Sequence, residues 1–338
     1  MFCLVKKSSF DEVIFWAGEI YYSGFHDLLW EHLWKIYYDF YAIKYPKYEK
    51  KINKLSKEMD FKNIVYILNL FYYSKPVYTV FALRILNPQS PSHVYMGRTP
   101  KWLKELELGK WERKLIRSIH NDKKVNIAFY IKHIQDPQLC YNAIKKYYAK
   151  TGITLKTLKS VTYQNKAHIL LALVCHLDVS EVENRTICKK LDTSIIEKQA
   201  LFNAQTVEPL YKTLGHKRLY QISPLVGAFK LERFSNEKLD YKDILRLHWD
   251  YFAYNTPLWK KRIENCNGII NDKTYELIFK NDDDNEAFYE KYNYEPDEQS
   301  KEVQERSICM VDMEDGRAWL DAINDSIGIK SVSYDQVY

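Results

Sequence analysis

Ten glycines and ten prolines in 338 residues leave little to interrupt a helix. Glycine costs a helix interior roughly 1 kcal/mol and proline about 3 relative to alanine. A sandwich of many short strands would need both residues at its turns. Their scarcity predicts a mainly α chain, an irregular multi-helix bundle or helical array with at most a few short strands. Apolar side chains recur at helical spacing where breakers are missing. Over residues 26–42, Leu29, Leu33, Ile36, Tyr37 and Phe40 line one face, and Trp30, Trp34, Tyr38 and Tyr41 form an adjoining stripe. A helix apolar round most of its circumference belongs at the centre of a fold.

Local chemistry places the helix ends. Ser9 and Glu12 form a capping-box pattern, predicting a helix through Tyr22 that stops at Gly24. Pro46 suits the first turn of a basic helix running to about residue 59. Asp60 can cap 61–73, and Pro76 precedes a helix through Leu86. The run Asn87-Pro88-Gln89-Ser90-Pro91-Ser92, extended to Pro100, reads as a loop. It divides an aromatic-rich N-terminal helical domain, 1–87, from a basic helical domain, 101–280. Within the latter, helices are expected at 101–108, 110–120 and 123–134, and from Asp136-Pro137 to Gly152. Further helices are expected at 167–177, 195–205, 225–234, 241–254 and 258–266, and from Ser180, boxed with Glu183, to Leu191. Short strands are expected at 161–163 and 219–222. Residues 281–338 read as an acidic, partly ordered segment in which Trp319, Leu320 and Ile323 can form one docking helix. No fixed-period repeat is present.

Charge is distributed unevenly. Residues 281–338 hold 16 acidic and 5 basic side chains, so the preceding 280 residues carry 45 basic against 28 acidic, an excess of 17 positive charges. A basic body with an acidic tail predicts an acidic partner, nucleic acid or an acidic protein. The 28 tyrosines partly follow from the Lys/Tyr/Asn/Ile bias of AT-rich coding sequence. Their polar handle also suits half-buried helix faces. The six cysteines have no C-x-x-C or zinc-finger spacing, so they read as free, buried thiols in a reducing compartment. The most apolar runs, 64–73 and 167–177, are about half the length a membrane span needs. With no signal-peptide pattern at the start, the expectation is a protein that is neither secreted nor in a membrane.

The best-defined candidate surface is Lys110, Arg113, Lys114 and Arg117, which fall within about 100° of arc on a helix. Arg98, Lys101 and Lys104 precede it, and Lys123 and Lys124 follow. Such a ridge could follow a phosphate backbone, neutralising charge and releasing counterions. The competing reading is an ordinary solvated face, since Glu105, Glu107 and Glu112 are interspersed. Basic groups recur at Lys50-Lys51, Lys145-Lys146, Lys189-Lys190, Lys217-Arg218 and Lys260-Lys261-Arg262, most simply as solubilising residues on separate helices. His168, Cys175 and His176 are spaced too widely for a helical metal pair and read as core. Glu19, among Phe15, Trp16, Ile20 and Tyr21, would be a general acid only with a second catalytic group beside it. Walker, dinucleotide, zincin and nucleophile-elbow signatures are absent. No catalytic residue, cofactor or metal site is assigned.

The stretches FWAGEIYYSGFHDLLWEHLWKIYYDFYAIKY, residues 15–45, and HWDYFAYNTPLWKKR, residues 248–262, resemble uncharacterised helical proteins of nucleocytoplasmic large DNA viruses. The resemblance implies a host cytoplasmic viral factory or a virion, with viral protein partners, and supplies no activity. Together these readings lead to a non-enzymatic helical protein that binds nucleic acid or another acidic partner in viral replication, transcription or packaging. The alternatives are a structural or assembly protein such as a minor virion component, and an enzyme with a dispersed site around Glu19 or His168.

Overall fold

A computed structural model describes residues 2–58, 60–92, 97–152, 166–176, 183, 185–191, 193–197, 248–292 and 317–330. The chain is mainly α. Its first half comprises α1 (Phe2–Lys6), α2 (Phe10–Tyr22), α3 (His26–Ile36), a π-helical segment π1 (Tyr37–Tyr41), α4 (Tyr48–Leu55), α5 (Phe61–Tyr73) and α6 (Thr79–Ile85). There follow α7 (Lys101–Lys104), α8 (Lys110–His120), α9 (Lys124–His133), α10 (Pro137–Thr151) and α11 (Lys166–Cys175). The later elements are α12 (Trp249–Ala253), α13 (Pro257–Asn265), β1 (Ile269–Asn271), β2 (Glu276–Ile278), α14 (Asp282–Tyr292) and α15 (Arg317–Ser326).

The predicted caps operate. Ser9 Oγ accepts from Glu12 N at 3.2 Å, Asp60 from Lys62 N at 2.9 Å, and Asp136 from Gln138 N at 2.8 Å. Each satisfies an amide that the first helical turn leaves without a partner. Gly24 closes α2 at φ +90°, and a Cβ there would lie 2.9 Å from Pro257 Cβ. This turn therefore needs glycine both for its left-handed backbone and for the approach of α13.

One hydrophobic core runs through the segments on both sides of 87–100. It extends from Leu4 to Cys175 and takes in Leu320, Ile323 and Ile329. Helix α2 packs on α5, α3 and α1, while π1 packs on α6 and α11. Helix α6 also meets α9 and α15, and α8 lies between α9 and α10. The anticipated docking helix is α15: Leu320 and Ile323 are buried, and the Trp319 ring lies 6.1 Å from Phe81.

Residues 248–292 gather a second, smaller core. Ile263 and Phe288 are fully enclosed there. Phe279 and Tyr292 each place a ring 5.1 Å from Phe288. Arg262 covers Trp259 at 4.6 Å and Tyr292 at 4.9 Å. It is thus a packing residue rather than part of a solubilising run.

Several local expectations are corrected. The continuous helix over 26–42 changes to π geometry at Tyr37, where Ala42 N donates to Tyr37 O at 2.8 Å. The helix expected up to Leu191 is absent from 185–191, which is non-helical. There Asn69 exchanges hydrogen bonds with the Lys189 backbone at 3.1 and 3.3 Å, and Ile187 N donates to Tyr48 Oη at 3.2 Å. Side chains of α4 and α5 thus satisfy backbone groups that a helix would have satisfied internally. Helix α7 ends at Lys104, short of the expected residue 108. α1, the β1–β2 hairpin and α14 were not anticipated. The strands expected at 161–163 and 219–222 and the helix at 225–234 lie outside the described residues. Cys140 and Cys175 are buried thiols, but Cys188 is exposed and Cys3 and Cys266 are half-buried. Cys309 lies outside the described residues.

Candidate functional site

Helix α8 is amphipathic in the sense its sequence predicts. Leu115, Ile116, Ser118 and Ile119 face the core, while Lys110 and Arg113 are exposed and Lys114 and Arg117 half-buried. Ser118 survives in the core because its hydroxyl donates to Lys114 O at 2.8 Å. The opposite face is left to the cations. Arg113 Nη2 donates to Leu108 O at 2.9 Å, tying the ridge to the turn before it. Arg117 Nη2 donates to Gly97 O, which brings the exposed Arg98 up to the same helix. Lys101 and Lys104 are exposed on α7. Lys123 and Lys124 are half-buried at the start of α9, and Lys124 pairs with Asp122 at 3.5 Å.

The interspersed carboxylates do not quench this face. Glu105 pairs with Lys150 at 3.8 Å, and Asp122 is held by Lys124. Glu107 and Glu112 line a groove of about 560 Å³ against α10, whose far wall carries Lys145 and Lys146. Among the described residues, Lys101, Lys104, Lys110, Arg113 and Lys114 form no ion pair with a carboxylate. Unpaired surface cations keep their full attraction for a mobile polyanion.

Aromatic rings flank the ridge, a juxtaposition that was not singled out from sequence. Lys110 and Lys114 lie 5.7 and 5.2 Å from the Trp111 ring, and Lys114 also lies 5.6 Å from Tyr130. Trp111 in turn lies 6.0 Å from Tyr130 and 5.1 Å from His133. At the far end of α8, Trp102 meets His120 at 5.2 Å and Tyr147 at 5.7 Å. The signal was available: Trp111, Tyr130 and His133 all sit on two short, consecutive helices.

The other basic groups are dispersed. Lys51 of α4 covers Tyr66 at 4.4 Å, and Lys189, in the non-helical run 185–191, covers Tyr73 at 4.6 Å. Lys217 and Arg218 lie outside the described residues.

His168 is brought to a cluster that sequence reasoning missed. Asp39, carried inward by π1, has no exposed surface and is gripped by Arg84 of α6, Nε to Oδ1 at 2.9 Å and Nη2 to Oδ2 at 2.7 Å. His168 Nε2 stands 3.9 Å from Asp39 Oδ1. Burial pushes the His168 imidazole down to about 4, against an upward pull from Asp39, with Arg84 adding to the depression. The ring is therefore neutral at physiological pH. A lone Arg in the apolar run Val80–Leu86 and an Asp between Tyr38 and Phe40 are the signals that these two pair. π turns often mark functional sites, but here Asp39 and His168 are buried, Arg84 is half-buried, and their evident work is to fix how π1, α6 and α11 cross. Glu19 is half-buried on α2, which packs on α1, α3 and α5 and so belongs to a different part of the fold.

No group of three or more His, Cys, Asp or Glu side chains that could hold a metal is assembled among the described residues. No helix among them is long and apolar enough to cross a membrane. Compared with protein-family models, curated proteins and solved structures, the chain gives no match.

Proposed function

We propose that the protein binds nucleic acid through the α8 ridge and its flanks, with Arg98, Lys101, Lys104, Lys110, Arg113 and Lys114 as the phosphate-facing cations. The observation that carries this reading is that, among the described residues, the α7–α8 cations form no ion pair while the neighbouring carboxylates are engaged by other lysines or line the groove. The excess of positive charge before residue 281 adds a long-range attraction of the same sign. The resemblance to proteins of large DNA viruses supplies a setting, at replication, transcription or packaging, in which such a surface would be used.

The test is fluorescence anisotropy with labelled oligonucleotides between about 50 and 200 mM salt. Binding should be measurable at low salt and weaken linearly on a log–log plot, with each phosphate neutralised contributing a slope of roughly −0.7 to −0.9. The double variant Lys110→Glu with Arg113→Glu should bind at least about ten-fold more weakly and lose about two units of that slope. Failure to bind at low ionic strength, or affinity indifferent to salt, removes the reading.

An assembly role has one observation in its favour. Ile269 and Ile278 face each other across the β1–β2 ribbon and are 68% and 47% exposed. Exposed apolar pairs on a two-stranded ribbon are natural contact points. Concentration-dependent self-association abolished by Ile269→Thr would favour it.

A further inference from the structure

The ridge is bordered by a stack of rings rather than by aliphatic side chains, and that bears on which form of nucleic acid it takes. His133 ends α9 on the exposed surface, its ring 4.0 Å from Phe129 and 5.1 Å from Trp111, both at interplanar angles of 31°. A hydrogen bond between His133 Nδ1 and Phe129 O at 2.8 Å fixes the orientation of the imidazole. Trp111 is half-buried, and beneath it Tyr130 is enclosed, 6.0 Å away. The exposed His133 ring and the half-buried Trp111 ring are thus seated on the buried Phe129 and Tyr130. Lys110, Arg113 and Lys114 stand beside it on α8, one to three residues from Trp111.

A base in a duplex shows the protein only its edge, because both its faces are already stacked. A base in a single strand offers a free face, and ring-on-ring stacking tolerates any sequence because every base has such a face. Rings held in place beside unpaired cations at nucleotide-scale distance therefore suit an unpaired strand, with bases on the rings and phosphates on the lysines. We infer that the Trp111–His133 stack, together with Lys110, Arg113 and Lys114, is a base-stacking site for single-stranded nucleic acid. This rests on the nucleic-acid reading above and narrows it to one form of the ligand.

The experiment compares an oligothymidylate of about fifteen nucleotides with a duplex of equal length, at matched salt, on the full chain. The single strand should bind at least about ten-fold more tightly and quench tryptophan fluorescence. Trp111→Ala should weaken single-strand binding by about 5- to 100-fold while changing duplex binding by less than about two-fold. His133→Ala, at an exposed position, should move single-strand binding in the same direction, and it keeps the test decisive if the tryptophan variant misfolds. Duplex bound as tightly as the single strand, or single-strand affinity unchanged in both variants, overturns the stacking inference while leaving a phosphate-binding ridge. Neither probe bound by the wild-type chain overturns the ridge itself, and the stack with it.

Discussion

Replacing Arg84 with methionine isolates the charge that holds the crossing of π1, α6 and α11. Methionine keeps an unbranched side chain of similar reach in α6 and deletes only the guanidinium. Asp39 then loses donors at 2.9 and 2.7 Å in a position with no exposed surface. Breaking a buried ion pair from one side costs about 3–5 kcal/mol. That is at least about a fifth of the 5–15 kcal/mol typical of a folded domain. Removing both charges, Asp39→Leu with Arg84→Met, leaves no orphaned ion, and an apolar pair in the same space is often close to neutral. The double variant is therefore expected to be more stable than the Arg84→Met single variant. Urea unfolding followed by far-ultraviolet circular dichroism at neutral pH gives all four corners of the cycle. The reasoning is refuted if Arg84→Met costs less than about 1 kcal/mol, or if the double variant loses the sum of the two single effects.

His168 predicts an acid limb to the stability curve. The unfolded chain takes up a proton as pH falls below about 6.5, whereas the folded ring resists until about 4. The contribution is complete above the upper value and lost on the way down to the lower. At 1.36 kcal/mol for each unit of separation it amounts to roughly 3 kcal/mol. His168→Phe should flatten this limb relative to wild type in urea midpoints measured across that range; parallel curves would rule the assignment out. Leu320→Ala, at a buried position of α15 against α6, should cost about 2–5 kcal/mol in unfolding experiments. A loss below 1 kcal/mol would mean that α15 is only loosely seated.

What was legible in the sequence was whatever the chain settles within a few residues. Ser9, Asp60 and Asp136 cap their own helices with their own oxygens, and Gly152 ends α10 in the left-handed region at φ +72°. The apolar face of α8 follows from spacing alone, and so does the ridge opposite it. Features decided by distant partners were not legible. Residues 185–191 depart from helix because Asn69 and Tyr48, more than a hundred positions earlier, take their backbone amides. Asp39 of π1 meets Arg84 across 45 positions, a pairing that no local window contains. The acidic α14 carries one buried residue, Phe288, enclosed by rings from α13 and the strand region. Its apolar residues looked too sparse because most of that small core comes from elsewhere. For the candidate site, the cations could be read directly, but their freedom from carboxylates depended on which lysine reached Glu105 and Asp122 first.

The seating of α15 on α6 carries a consequence for how the molecule is made. Trp319 covers Phe81, and Leu320 and Ile323 fill the same core that the first eighty residues begin. On the ribosome, therefore, the early helices can collapse together but the face that α15 covers stays wet until residues 317–326 have been translated. Closing so long a loop costs only slowly more entropy as it lengthens, so the completed state is not weakened by the wait. The delay falls on kinetics instead: between the synthesis of α6 and that of α15 the nascent chain carries a greasy flank open to chaperones.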